Sequence, residues 1–190
     1  MVKKKLFVVL STFSVLAFST GYASASAVKP TLSQTADSSI GAAEVMFAQI
    51  MIPHHEQATQ MSKLALTNSS NRKVLSLARN IIKAQTREIV SMNRWLKAAG
   101  AEAVPGMDMG MHGMKGVMTD QQLTDLGKLK GSKFDRLFLS QMIIHHQGAL
   151  KSASAIANSR NTEAKALARS IKSTQSAEIS VMKSMLASIK

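Results

Sequence analysis

Phe47-Ala-Gln-Ile-Met-Ile-Pro-His-His-Glu-Gln-Ala58 occurs twice in this chain, the second time as Phe138-Leu-Ser-Gln-Met-Ile-Ile-His-His-Gln-Gly-Ala149. Met51, His54, His55 and Ala58 recur as Met142, His145, His146 and Ala149 at one fixed offset. After a one-residue slip the match continues: Leu77-Ala78-Arg79, Gln85, Glu88 and Met92 return as Leu167-Ala168-Arg169, Gln175, Glu178 and Met182. An internal repeat constrains architecture before any local reading does. Two copies of so long a unit do not make a solenoid. The expected fold is all-α, a four-helix bundle closed by a duplicated helical hairpin.

Working outward, the pattern predicts a helix over 38–66, with Pro53 producing a kink or a restart because it lacks a backbone donor and crowds the preceding turn. A polar turn at 67–71 leads into a second helix over 72–99, stopped by Gly100. The first hairpin thus covers 38–100, and a Met- and Gly-rich loop covers 101–118. Thr119-Asp-Gln-Gln122 has the form of a capping box and opens a short helix within 119–131. Ser132 is a candidate cap for a third long helix reaching about Ala157. A turn at 158–162 and a last helix complete the second hairpin, 132–190. Up-down-up-down order would make the two His-bearing helices parallel and diagonal, with both His pairs at one level. The long connection permits other orders.

The N-terminus reads as a targeting segment. Lys3-Lys4-Lys5 precede an apolar run from Leu6 to Phe18, and Ala23-Ser24-Ala25 and Ala25-Ser26-Ala27 both suit a small-x-small cleavage site. The run is short for a membrane span. Residues 1–27 are therefore expected to be a signal peptide and 28–37 a flexible leader. The mature protein is expected to be secreted or periplasmic, with no transmembrane span. Removing the three signal lysines lowers the formal charge from +13 to +10. That charge could suit an anionic envelope. Nucleic acid is disfavoured, because no aromatic side chains interleave with the basic ones.

The chain has no cysteine but thirteen methionines. A soft-metal site must therefore use thioether sulfur, which survives an oxidising compartment where thiols do not. At about 100° per residue, Met51, His54, His55 and Met61 share a helix face, as do Met142, His145 and His146. Met51 with His55, and Met142 with His146, are one turn apart and can reach one ion. Adjacent His54 and His55 diverge by about 100°, so they cannot aim equally at one point. Glu88 and Glu178 fall on the inward stripe of the partner helices. A buried carboxylate needs a partner, so each is expected to hydrogen-bond a histidine and orient a ligand ring. A metal-free polar layer that sets helix register has the same sequence signature, and the helical methionines also suit plain core packing. Met107, Met109, Met111, His112, Met114 and Met118 differ, because a glycine-rich segment cannot bury them well. Thioethers favour Cu(I) and Ag(I), and carry no proton to be displaced in acid.

The double Phe-x-x-x-Met-Ile-x-His-His-x-x-Ala motif, the Met-Gly-Met linker and Phe134-Asp-Arg-Leu-Phe-Leu139 resemble the domain of unknown function 305 family. The resemblance spans about 37–186, and the family includes an exported copper-binding protein. It implies a ferritin-like bundle that binds copper or silver outside the cytoplasm and aids metal tolerance. It also implies that Met51, His54, His55, Met61, Met142, His145, His146 and the loop methionines are the metal residues. Ser152 stands where the second copy should match Met61. The expected function is sequestration or passing on of copper without catalytic turnover. Cu(I) is favoured, Ag(I) and Cu(II) are the other candidates, and other copper-handling envelope proteins are the expected partners. A di-metal carboxylate oxidase would need Glu-x-x-His pairs that the chain lacks. A metal-free basic module binding the envelope or a partner protein is the alternative.

Overall fold

A computed structural model describes residues 39–103, 114 and 116–189. The expected signal peptide and leader, residues 1–37, and Met107, Met109, Met111 and His112 lie outside the described residues.

Four long helices carry the two hairpins, namely α1 (Ala42–Asn68), α2 (Arg72–Ala98), α4 (Gly131–Ala153) and α5 (Thr162–Ser188). A short helix, α3 (Asp120–Lys128), precedes α4. The family of ends follows local chemistry. Asn71 accepts from Lys73 N at 3.0 Å, and Asn161 from Ala164 N at 2.9 Å, each capping the helix after a turn. Thr119 and Gln122 form the expected reciprocal box, with bonds of 3.2 and 2.8 Å. Gly100 takes φ +65, and Ala101 N reaches back to Leu96 O while Gly100 N reaches Lys97 O. This is the paired C-terminal closure that glycine permits.

Four local expectations change. The first helix starts at Ala42, where Glu44 reaches back to Gly41 N at 3.0 Å. It also runs unbroken through Pro53, with no restart. One lost backbone bond is outweighed by the buried side chains on both sides of Pro53. Ser132 is not a cap: α4 begins at Gly131, with Lys130 at the capping position and no side-chain cap bond. The same helix ends at Ala153 and tightens into a 3-10 turn over Ser154–Ile156.

The bundle is assembled by pairing α1 with α2, α4 with α5, and α1 with α4, whereas α2 and α5 touch little. Two apolar clusters occupy opposite ends. One holds Met61, Ile81, Phe134, Phe138 and Met182, from the C-terminal halves of α1 and α5 and the N-terminal halves of α2 and α4. The other holds Phe47, Met51, Trp95, Ile156 and Leu167, from the complementary halves. Hence α1 and α4 are antiparallel neighbours, unlike the parallel diagonal pair of an up-down-up-down bundle. The connection after α2 makes this possible by returning along the bundle before α4 begins. Three α1 side chains pin it in turn: Gln49 to Glu102 O, Gln57 to Met118, and Asn68 to Gly127 O. This is the single long crossover of ferritin-like bundles.

Candidate metal centre

The histidines lie between the two clusters. His54 and His55 sit at the middle of α1, and His145 and His146 just past the middle of α4. All four are 0–1 % exposed. A fully buried imidazole is unusual, and this layer contains four.

The outer two, His55 and His146, are bonded across their own hairpins. His55 Nε2 lies 2.7 Å from Glu88 Oε2, and His146 Nε2 lies 2.7 Å from Glu178 Oε2. A carboxylate can only accept, so each Nε2–H donates. A neutral ring then carries its lone pair on Nδ1. Both Nδ1 atoms are buried and have no protein partner. This is the arrangement by which a carboxylate fixes tautomer and ring orientation in a metal-binding histidine. Glu88 and Glu178 also reach solvent, with side chains 11 % and 14 % exposed, so the layer is open to water at its carboxylates.

The inner two, His54 and His145, meet where α1 crosses α4. Their ring centroids are 3.6 Å apart with planes inclined by 33°. Burial first, and then the neighbouring histidines, hold both rings well below the ordinary imidazole range; an approach of the opposite backbone opposes this only weakly. They are therefore neutral where solvated histidine begins to charge. None of their four ring nitrogens makes a hydrogen bond of good geometry. Gln85 and Gln175, at the midpoints of α2 and α5, add two buried carboxamides with neither atom bonded. Each such group costs about 1–3 kcal/mol relative to a satisfied one. These are the groups in the layer that an electrophile or a hydrogen-bond donor could engage.

Met51, Met92, Met142 and Met182 are fully buried on the same helices. Met51 and Met142 stand one turn before His55 and His146. Met61 is fully buried in the apolar cluster of Phe134 and Phe138, about 9 Å of helix rise beyond His55. Met118 joins that same cluster, and Met114 packs against the other. Among the described residues, no three His, Asp or Glu side chains converge in a ready-made metal cage. The donor set is instead distributed, with imidazoles one helical turn from thioethers on α1 and on α4, and its chemistry suits low-coordinate soft ions better than a hard octahedral one.

Gln85, Gln175 and Gln57 were not among the site residues expected from sequence. The first two were visible as members of the repeat on the inward stripe. Gln57 has no counterpart, since Gly148 occupies its place in the second copy.

Residues 44–186 match the profile described as "Domain of unknown function (DUF305)". The chain belongs to the DUF305 family. A DUF305 protein of Streptomyces coelicolor is 31 % identical, with a TM-score of 0.71 over 77 % of this chain and 91 % of that one. A DUF305 fragment from Deinococcus radiodurans is 32 % identical, with a TM-score of 0.72 over 78 % and 98 %. CopM in its Cu(II)-bound form is 38 % identical, with a TM-score of 0.67 over 76 % and 96 %, and CopM has also been solved with Cu(I) and with Ag. No curated protein matches the chain significantly. Among the described residues of this DUF305 chain, no helix is long and apolar enough to cross a membrane.

Proposed function

We propose that this chain is an exported copper-binding protein that sequesters the ion, or passes it to other envelope proteins, in copper homeostasis and tolerance. It binds without catalytic turnover. Cu(I) is the favoured cargo, because the thioethers are soft donors, and Ag(I) and Cu(II) are secondary. The observation that carries the reading is the pair of buried Nδ1 atoms on His55 and His146, each freed by a carboxylate on the opposite nitrogen. Met51 and Met142, one turn away, supply the sulfur. Similarity to CopM, whose copper and silver forms are known, supports the same reading. The loop methionines Met107, Met109, Met111 and Met114, with His112, would form a separate capture site, and Met118 and Met61 would extend it toward the layer.

The test is a Cu(I) titration against a competing chelator. The wild-type chain is compared with a chain in which His54, His55, His145 and His146 are all Ala, and with one in which Met107, Met109, Met111 and Met114 are Ser. Each variant should lose part of the copper taken up. Undiminished uptake by the fourfold histidine variant would refute the layer as a site. The stacking of His54 on His145 favours one other reading, a polar layer that only sets register. A metal-free module would ignore copper, and its envelope binding would fall steeply with salt.

A further inference from the structure

The crossover does more than connect the hairpins. The side chain of Gln57, 7 % exposed, grips the backbone of Met118 at two points. Gln57 Nε2 donates to Met118 O at 2.7 Å, and Met118 N donates to Gln57 Oε1 at 2.8 Å. Two residues earlier, Gly116 rests directly on α4. Its φ is +99, and a Cβ there would lie 2.4 Å from Ile144 O and 2.6 Å from His145 Cα. No side chain could occupy that position without moving backbone. The strap 116–118 therefore reaches from α4 at His145 to α1 at Gln57. It crosses the seam where His54 and His145 stack, and the flanking Met114 and Met118 join opposite apolar clusters. Gly148, the repeat counterpart of Gln57, can make no such grip, so the latch exists on one side only.

We propose that Gln57 and Gly116 latch this strap over the α1–α4 seam, and that metal exchanges with the histidine layer when the latch releases. The inference rests on the reading of that layer as a copper site. Gln57 is a positioning residue: both of its hydrogen bonds go to the backbone of the strap. Loss of both its bonds removes the grip while leaving every histidine and carboxylate in place. Gly116→Ala lifts the strap from the other side without altering α1.

Two rates test the proposal on the full chain. Without metal, modification of the layer histidines by diethyl pyrocarbonate is followed peptide by peptide. With copper, removal of Cu(I) by a chromogenic chelator is followed by stopped flow, well below the melting temperature. Both rates should rise at least about tenfold in Gln57→Ala, which loses both bonds of the grip, and should rise likewise in Gly116→Ala. A merely structural role would lower the melting temperature and leave copper removal unchanged. Unaltered histidine modification in both variants overturns the latch. Faster modification with unaltered copper removal overturns the gate. If the fourfold His→Ala chain keeps all its copper, the copper reading falls and the gate falls with it. The modification rates distinguish that result from a failed latch.

Discussion

His55 and His146 owe their chemistry to a single hydrogen bond each. Glu88→Gln keeps an acceptor for Nε2–H but removes the charge that raises ring basicity, so copper affinity should fall by about 10–100-fold with little change in fold. Glu88→Leu leaves a buried donor unpaired and should also destabilise by about 1–3 kcal/mol. Chelator competition and thermal melts of both variants check this; equal affinities for wild type and Glu88→Gln would contradict it. The inner pair makes a different prediction. His54 and His145 are depressed by burial, so the unfolded chain takes up protons that the folded chain does not. Their contribution is complete above the ordinary imidazole value of 6.5 and is lost as the pH falls below it. Metal-free protein should lose about 1.4 kcal/mol per pH unit for each ring in that range. Urea unfolding at about pH 7.5 and 5.5 reads the slope, and a His54→Ala, His145→Ala double variant should flatten it. The Glu–His bonds were legible in sequence, because an acidic residue on an inward stripe must find a partner. The grip of Gln57 was not, because its partner lies 61 residues away and no local pattern marks a glutamine as a clamp.

At the level of elements, helix ends were the most legible feature where a side chain makes the cap. Thr119 bonds the first turn as its box predicts, and Asn71 and Asn161, which fall within the two predicted turns, cap the helices that follow. Ser132 failed because Gly131, at φ +58, already redirects the chain before the serine is reached. Of the two outcomes read for Pro53, a kink or a restart, the restart does not occur, since packing along both flanks holds what one missing bond would release. The two His pairs, one beside Pro53 and one beside Ile144, are equally enclosed. For the loop, replacing Met107, Met109, Met111 and Met114 by Ser should lower Cu(I) uptake and leave helical circular dichroism unchanged. The melting temperature should shift by no more than about 2 °C, because a glycine-rich sequence offers its methionines little burial. Equal copper uptake would show that the segment is not a capture site.

For the molecule as a whole, the repeat made four helices and an all-α bundle legible, but not their order. Both hairpins are short-looped and local, whereas the relation between them depends on the course of one long connection. The partners of Gln49, Gln57 and Asn68, together with Gly116 against α4, reveal that course. Copper bound only by the folded state should raise the melting temperature by about 5–10 °C at a hundredfold excess over Kd. Calorimetry of the fourfold His→Ala chain should show a smaller rise; an identical one would place the stabilising ion elsewhere. The adjacency of α1 and α4 has one more consequence. His54 and His145 are counterparts in the two copies, and each is the other's nearest ring. Equivalent residues touch each other only on a two-fold axis. The protein therefore has the geometry of an isologous dimer written into one polypeptide, with the axis passing between these rings. Covalent fusion makes the meeting of the halves independent of concentration, and frees them to diverge, as Gln57 and Gly148 have done.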